Sequence, residues 1–400
     1  MSEANRASPA SGDAGDPSGA AAPGRLAIVL SGGGARGAYQ AGVLRGIARH
    51  LPDLRFPILC GISAGGINAS FLAAHPDPLG TSAPELCAIW RRLHAGDIFH
   101  ADATSLARHF ARWVARLASG GTAAAPEVRG LVDPRPLQRV IESVVAVVDG
   151  EIVGIAENIE RGHLQAVTLT TLNYTTGQTV TWVQGDHVDH RERPRLRTWR
   201  ARLSVDHVLA SAALPLFFPA VRLGNDWHGD GGMRLDAPFS APLHLGATRI
   251  LAISPRYEMT MAEADRRKTS GYPPPAQILS QLINAIFLDV LDRDAARLQE
   301  INRLIPYVPP AERHGLRPVD ILVLRPSVDL GLLAADYEDR LPPAFRYLTR
   351  SLGTRETTVP DFLSIVLFEP DYLQLLLEIG ERDAEAKIDD IRRLLASPAS

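Results

Sequence analysis

A serine between small residues is the first feature of this chain able to do covalent chemistry. Gly61-Ile62-Ser63-Ala64-Gly65 is a G-x-S-x-G pattern. It stands between a short apolar run and a segment with helical apolar spacing. A nucleophile at the tip of a sharp strand-to-helix turn needs small residues two positions either side, so that strand and helix can pass closely. The turn also sets the hydroxyl at a helix N-terminus, whose dipole favours developing negative charge. A serine of this kind needs a base, most often His held by Asp or Glu. Twelve histidines are present. None stands in a recognisable catalytic setting, and His187 and His190 fall in a polar segment. An aspartate is the local alternative. Asp230-Gly231-Gly232 places a carboxylate before two glycines, which leave room for a neighbouring loop, although a plain Asp-Gly turn has the same residues.

The second chemical feature is Ser31-Gly32-Gly33-Gly34-Ala35-Arg36-Gly37. Consecutive glycines let backbone N–H groups converge beside a helix N-terminus, where a phosphate or a transient oxyanion can bind. Arg36 adds a positive charge. Gly32-x-Gly34-x-x-Gly37 also matches a dinucleotide-binding fingerprint. That reading requires an acid at the end of the second strand. Leu59-Cys60-Gly61-Ile62-Ser63 contains none, and Asp53 precedes the strand. A phosphate loop of the Lys-Ser/Thr type fails because neither residue follows Gly37.

The elements that must position these residues read as an open α/β sheet. Residues 26–30 form a buried-strand run, 38–51 a helix with Val43, Leu44, Ile47 and Leu51 on one side, 56–60 a second strand, and 64 toward Pro76 a second helix. Residues 84–145 read as helical with a break near 119–126. Residues 165–184 read as two strands joined at 174–177, 187–202 as a polar Arg-rich loop, and 204–213 as a helix. Strands are expected at 250–253 and 321–324, with a long helical stretch at 276–304 between them and a mostly helical tail over 335–396. Residues 1–24, rich in Ala, Gly, Ser, Pro and Asp and lacking an apolar h-region, read as a disordered leader without a secretory signal.

Composition narrows the function classes. The 400 residues carry 42 basic and 45 acidic side chains, a net charge of −3 that argues against a generic nucleic-acid binder. Only Lys268 and Lys387 are lysines, so arginine supplies the other 40 cations throughout the chain. Cys60 and Cys87 cannot build a disulfide framework, and no run of about 18 apolar residues predicts a membrane span. No cofactor or metal site is expected, and the expected location is cytoplasmic or peripheral at a membrane.

Taken together, the loop Gly32-Gly33-Gly34-Ala35-Arg36-Gly37, the elbow Gly61-Ile62-Ser63-Ala64-Gly65, the segment Ala210–Val221 and Asp230-Gly231-Gly232 resemble the patatin-like phospholipase family, and they occur in its order. The resemblance covers residues 25–255. The remainder, including Asp289 to Asn302 and the 360–384 tail, looks like extensions of long bacterial members. The resemblance implies a three-layer α/β/α fold with a central mostly parallel sheet, a catalytic domain over 25–255 and a mainly helical extension over 256–400. It implies a Ser63–Asp230 dyad with no histidine. The oxyanion hole would be formed by Gly32, Gly33, Gly34, Ala35, Arg36 and Gly37, with Gly61, Gly65, Gly231 and Gly232 shaping the elbow and the acid loop. The implied substrates are phospholipids, lysophospholipids or other acyl-ester lipids. A buried Asp230 would have a raised pKa, better matched to a serine hydroxyl. A His-dependent esterase remains the alternative, with His244 and His314 as the late histidines available.

Two segments suit a lipid surface. Arg191, Arg193, Arg195, Arg197, Arg200 and Arg202 form a basic cluster able to hold anionic groups, although a solvated loop has the same composition. The 276–304 helix has a wide apolar face that either packs as core, covers the active site or enters a bilayer.

Overall fold

The computed structural model describes residues 25–99, 130, 132–185, 193–215, 217–265, 271–356 and 361–397. The expected leader over 1–24, the break at 119–126, His187, His190 and Arg191 lie outside them. Eleven strands are found among these residues: β1 Arg25–Leu30, β2 Ile58–Ile62, β3 Val147–Val148, β4 Glu151–Ile152, β5 Ala166–Asn173, β6 Gln178–Gly185, β7 Leu196–Arg200, β8 Val221–Leu223, β9 Asp226–Asp230, β10 Ala247–Ile253 and β11 Asp320–Leu324. β3 and β4 form a separate small hairpin. The main sheet runs β11-β10-β1-β2-β5-β6-β7, with β9 on β5 and β8 on β9. β11, β10, β1, β2 and β5 are mutually parallel, whereas β6 and β9 run antiparallel to β5. The fold is the expected mostly parallel α/β sheet with helices on both sides.

Strict alternation along the strands divides the core into two layers. Leu26, Ile28, Leu30, Leu59, Leu169 and Val180 belong to one layer, which holds α1 Gly37–His50, α2 Ala64–Ala74 and α3 Leu79–Arg92. Ala27, Val29, Ile58, Cys60, Ala166 and Val183 belong to the other, packed against Leu291, Ala295 and Leu298. The two layers meet only through the strands.

The tail contributes to the first layer. The Pro370–Ala386 helix lies along α1, so close that a Cβ on Gly42 would stand 2.1 Å from Leu377 O. Arg45 and Arg49 reach Glu381 at 2.7 and 2.5 Å. This contact explains why α1 is buried from Gly37 through Ile47 apart from Arg45, a wider face than its apolar stripe predicted.

Three readings from sequence are corrected. The second strand spans Ile58–Ile62, not 56–60, because Pro57 has no N–H to enter the ladder. The Arg-rich loop contains β7, an edge strand whose Thr198 and Trp199 pair with β6. β8 and β9 add two strands that the sequence does not announce, because Asp226-Trp227-His228-Gly229-Asp230 lacks an apolar alternation. The 276–304 run is helical as expected, with a π turn at Asn284–Leu288 in its middle. No helix among the described residues is long and apolar enough to cross a membrane.

Candidate active site

Ser63 and Asp230 are 167 residues apart in sequence, and sheet register brings them together. β2 runs parallel to β5 and ends with Ile62 opposite Thr170. β9 runs antiparallel along the same edge of β5 and ends with Asp230 opposite Thr171. The two strands therefore point at one another head to head. The residue after one and the last residue of the other face the same gap.

Ser63 has φ 55° and ψ −128°, one of three non-glycine residues with positive φ among the described ones. Such a conformation costs on the order of 1–3 kcal/mol and persists only where neighbours fix it. Here they do. The Ser63 N–H donates to Ser211 Oγ at 3.1 Å, and the Ser211 hydroxyl donates to Thr170 O at 2.8 Å. Gly66 N–H donates to Ser63 O at 2.8 Å and starts α2. The small residues have the expected steric cause: a Cβ on Gly65 would lie 2.1 Å from Leu30 O, and one on Gly61 would lie 2.6 Å from Gly66 Cα.

The glycine loop lies directly against the serine. A Cβ on Gly32 would meet Ser63 Cβ at 3.0 Å and Oγ at 3.6 Å. Gly34 has φ +56°, and its missing side chain is the space occupied by Ile365 of the tail. The N–H groups of Arg36 and Gly37 are bound within the turn, to Gly33 O and to Gly34 O and Ala35 O. Gly32, Gly33, Gly34 and Ala35 supply the remaining donors.

Arg36 requires a correction. Its guanidinium is buried, with Nε donating to Ser364 Oγ and Nη2 to Asp361 Oδ1, both at 2.7 Å. Asn284 Nδ2 donates to the other Asp361 oxygen at 2.9 Å. The charge expected to face an oxyanion is instead paired to the tail. A guanidinium in this depth of protein needs a counter-charge, and the tail supplies it. Arg36 thus ties the glycine loop to the Asp361–Val366 helix.

Asp230 is fully buried, and burial pushes its carboxyl up to about 7 against the partial opposition of the Ser63 hydroxyl and the Gly232 N–H. Gly232 N–H donates to Oδ1 at 2.9 Å, while Oδ2 has no partner. The serine hydroxyl is close enough to favour the carboxylate, at a separation longer than a formed hydrogen bond. Asp230 N–H donates to Ala213 O at 3.0 Å. The Ser211–Ala213 segment therefore holds both partners, the elbow through Ser211 and the acid through Ala213. The sequence offered only one clue to Ser211, a single hydroxyl in the run Ala210-Ser211-Ala212-Ala213. Gly231 is also in close contact: a Cβ there would lie 2.3 Å from Thr170 O.

Ser63, Gly33 and Gly34 open onto a cavity walled by Phe71, Trp90, Leu137, Val208, Phe217 and Phe287, among other apolar side chains. Phe287 comes from the π turn and also packs on Gly232. The 276–304 helix packs as core through Ile283, Leu291, Ala295 and Leu298, and Phe287 of its π turn forms part of the cavity wall. His244 and His314 are not brought to Ser63. His244 Nδ1 is bound to Ser240 of its own short helix, and His314 is exposed in a turn. His228, two residues before Asp230, faces Thr171 Oγ1 at 3.0 Å and does not line the cavity. Cys60 is on the opposite side of the sheet, its thiol pushed up to about 12 by burial.

The sequence profile of the patatin-like phospholipases matches residues 28–243. A cGAMP-activated phospholipase of Pseudomonas aeruginosa (strain BWHPSA011 / Pa011) is 30% identical over 244 residues, covering 56% of this chain and 61% of the relative. Among solved structures, human GIVD cytosolic phospholipase A2 in complex with methyl gamma-linolenyl fluorophosphonate aligns at 15% identity and a TM-score of 0.44, over 93% of this chain and 59% of that one. VipD from Legionella pneumophila aligns at 12% identity and a TM-score of 0.35, over 90% and 67% of the two chains.

Proposed function

This chain belongs to the patatin-like phospholipase family, and from that premise we propose that it hydrolyses carboxylic esters of phospholipids or lysophospholipids with Ser63 as nucleophile and Asp230 as base. The observation that carries the reading is the meeting of a strained elbow serine and a buried aspartate at adjoining positions on one edge of β5.

The chemistry runs as an acyl transfer. Ser63 Oγ attacks the ester carbonyl carbon while its proton passes to Asp230. The carbonyl oxygen becomes an oxyanion, held by N–H groups of the Gly32–Ala35 loop. Collapse breaks the ester C–O bond, and the leaving alcohol takes the proton from Asp230. Water then attacks the acyl-enzyme, giving its proton to Asp230, and the fatty acid leaves with Ser63 restored. A carboxyl near 7 suits this shuttling far better than one near 3.8. Serine remains a much weaker acid, so proton transfer accompanies attack. The oxyanion donors then matter greatly, each typically contributing about 10²–10³ in rate. The apolar cavity accepts the acyl chain, and the absence of a charged wall there matches a hydrocarbon. The domain division at residue 255 and the peripheral encounter with a membrane surface are part of the same proposal.

The test is labelling with a fluorophosphonate serine probe, location of the adduct by mass spectrometry, and assay of Ser63→Ala and Asp230→Asn on phosphatidylcholine and lysophosphatidylcholine. The expected adduct is on Ser63, with both variants inactive. An adduct on another serine, or full turnover in either variant, overturns the proposal.

A further inference from the structure

The opposite face of the same sheet carries a second cavity of quite different chemistry. Its floor is a block of threonines: Thr168 and Thr170 on β5, Thr179 and Thr181 on β6, and Thr198 on β7. Its mouth carries Arg193, Arg195 and Arg234, with Asp236 the one acid among the described lining residues. Cys60, Gly61 and Ile62, the strand end that leads into Ser63, form one wall.

Three observations make this more than a polar dent. First, the threonines are buried, at 1%, 4%, 3% and 7% exposure for Thr168, Thr170, Thr179 and Thr181. They occupy the sheet face that further along is filled by Ile58, Ala166 and Val183. A buried hydroxyl without a partner is unfavourable. Thr179 is satisfied by Arg234 O at 2.9 Å. The hydroxyls of Thr170 and Thr181 make no protein hydrogen bond among the described residues and are not closed off: both open onto the cavity, so their partner is its occupant, water or solute. Second, Arg193 and Arg195 form no ion pair among the described residues, unlike Arg45, Arg161, Arg202 and Arg325. Third, the cavity volume is about 180 Å³, and cavities of about 150 Å³ hold a benzene-sized guest.

Unpaired guanidinium groups above hydroxyl donors match an anion with several acceptor oxygens. We propose that this cavity binds a small phosphate-bearing anion, with Arg193 and Arg195 on its charge and Thr170 and Thr181 on its oxygens. The anion is either a free solute or the head group of a lipid. The proposal does not depend on the hydrolase reading. Its wall against Gly61 and Ile62 places any occupant one strand end away from Ser63.

The full-length chain is titrated with inorganic pyrophosphate by calorimetry, at low and at physiological salt. The wild type is expected to bind one equivalent saturably, more weakly as salt screens the charges. Arg193→Ser/Arg195→Ser raises the Kd by about tenfold or more. Thr181→Val, which keeps the side chain's shape, raises it severalfold with an unchanged melting temperature. Vesicles of phosphatidylglycerol in phosphatidylcholine separate the sources. Pelleting that pyrophosphate competes away assigns a lipid head group, and pyrophosphate binding without pelleting assigns a free solute; either supports the site. No saturable pyrophosphate binding overturns the proposal. So does binding indifferent to the arginine pair and to Thr181. Pelleting that needs the arginines but ignores Thr181 and pyrophosphate also overturns it, leaving only a charged surface.

Discussion

The two faces of one sheet have been put to opposite uses. On the first, β2 and β5 send Leu59, Val167 and Leu169 into an apolar layer, and the cavity there is walled almost wholly by apolar side chains, with Ser63, Ser70 and the glycine loop as its few polar groups among the described residues. On the second, the same strands send Cys60, Thr168 and Thr170 toward a cavity rimmed by arginine. Because side chains alternate along a strand, consecutive residues of β5 serve two chemistries. The comparison teaches what each chemistry requires. A hydrocarbon chain needs surroundings without polar demands, so the first face concentrates its polarity at one strained turn. A charged oxygen-rich ligand needs many donors, so the second distributes them.

The largest expected effects break the first face alone. Ser63→Ala and Asp230→Asn should each lower ester turnover by about 10⁴-fold or more, measured on lysophospholipid, while pyrophosphate binding on the second face stays within error. Loss of both functions in either variant would show that the faces are not separable. Next comes the tie between loop and tail. Arg36→Met strands Asp361 in the interior and should destabilise the protein by about 3–5 kcal/mol in urea unfolding. Arg36→Met/Asp361→Leu should recover most of that stability without restoring full turnover, if Arg36 acts by holding the loop.

Smaller effects sharpen the picture of the elbow. Ser211→Ala leaves the Ser63 N–H and its tie to Thr170 O without a partner, for a stability loss of about 1–3 kcal/mol and a fall in kcat exceeding the change in KM. Ser63→Gly abolishes turnover yet should stabilise the fold by about 1–3 kcal/mol, by releasing the positive-φ strain. A denaturant midpoint below the wild-type value would refute stored strain at this position.

The pH dependence gives the last test. Asp230 must be ionised to accept a proton, so kcat/KM should rise with pH through an apparent pKa of about 7 rather than near 4. The same shift has a stability consequence. The folded state holds this proton up to about pH 7, whereas the unfolded state releases it near 3.8. Between those values the folded protein binds more protons, so this group's contribution to stability falls as pH rises from about 4 to about 7. Asp230→Asn should lack that slope, as thermal melts across the range would show.

Much of the first face was legible from residues 26 to 74. The strand, glycine loop, helix, strand, elbow and helix are consecutive, and each is set by local rules: apolar runs, glycine steric limits and helical periodicity. Asp230 was identified by type but its strand was not anticipated, since that strand has no apolar pattern and exists because β5 leaves an edge open beyond Thr170. Arg36 was misassigned for a different reason. Its partner, Asp361, is 325 residues away, and no local rule tells a charge that faces a ligand from one that needs burial with a counter-ion. The Arg-rich 187–202 segment was read as a loop because arginine masks the β-forming Thr198 and Trp199.

The amino-acid sequence by itself determined the elbow, the glycine loop and the α/β order, because those depend on contacts among neighbours along the chain. Only the tertiary structure decided how Asp230 is brought beside Ser63, how far burial raises its pKa, what Arg36 holds, and that scattered threonines and arginines share one cavity. Those depend on strand register and depth in the protein, which are set by packing between segments hundreds of residues apart.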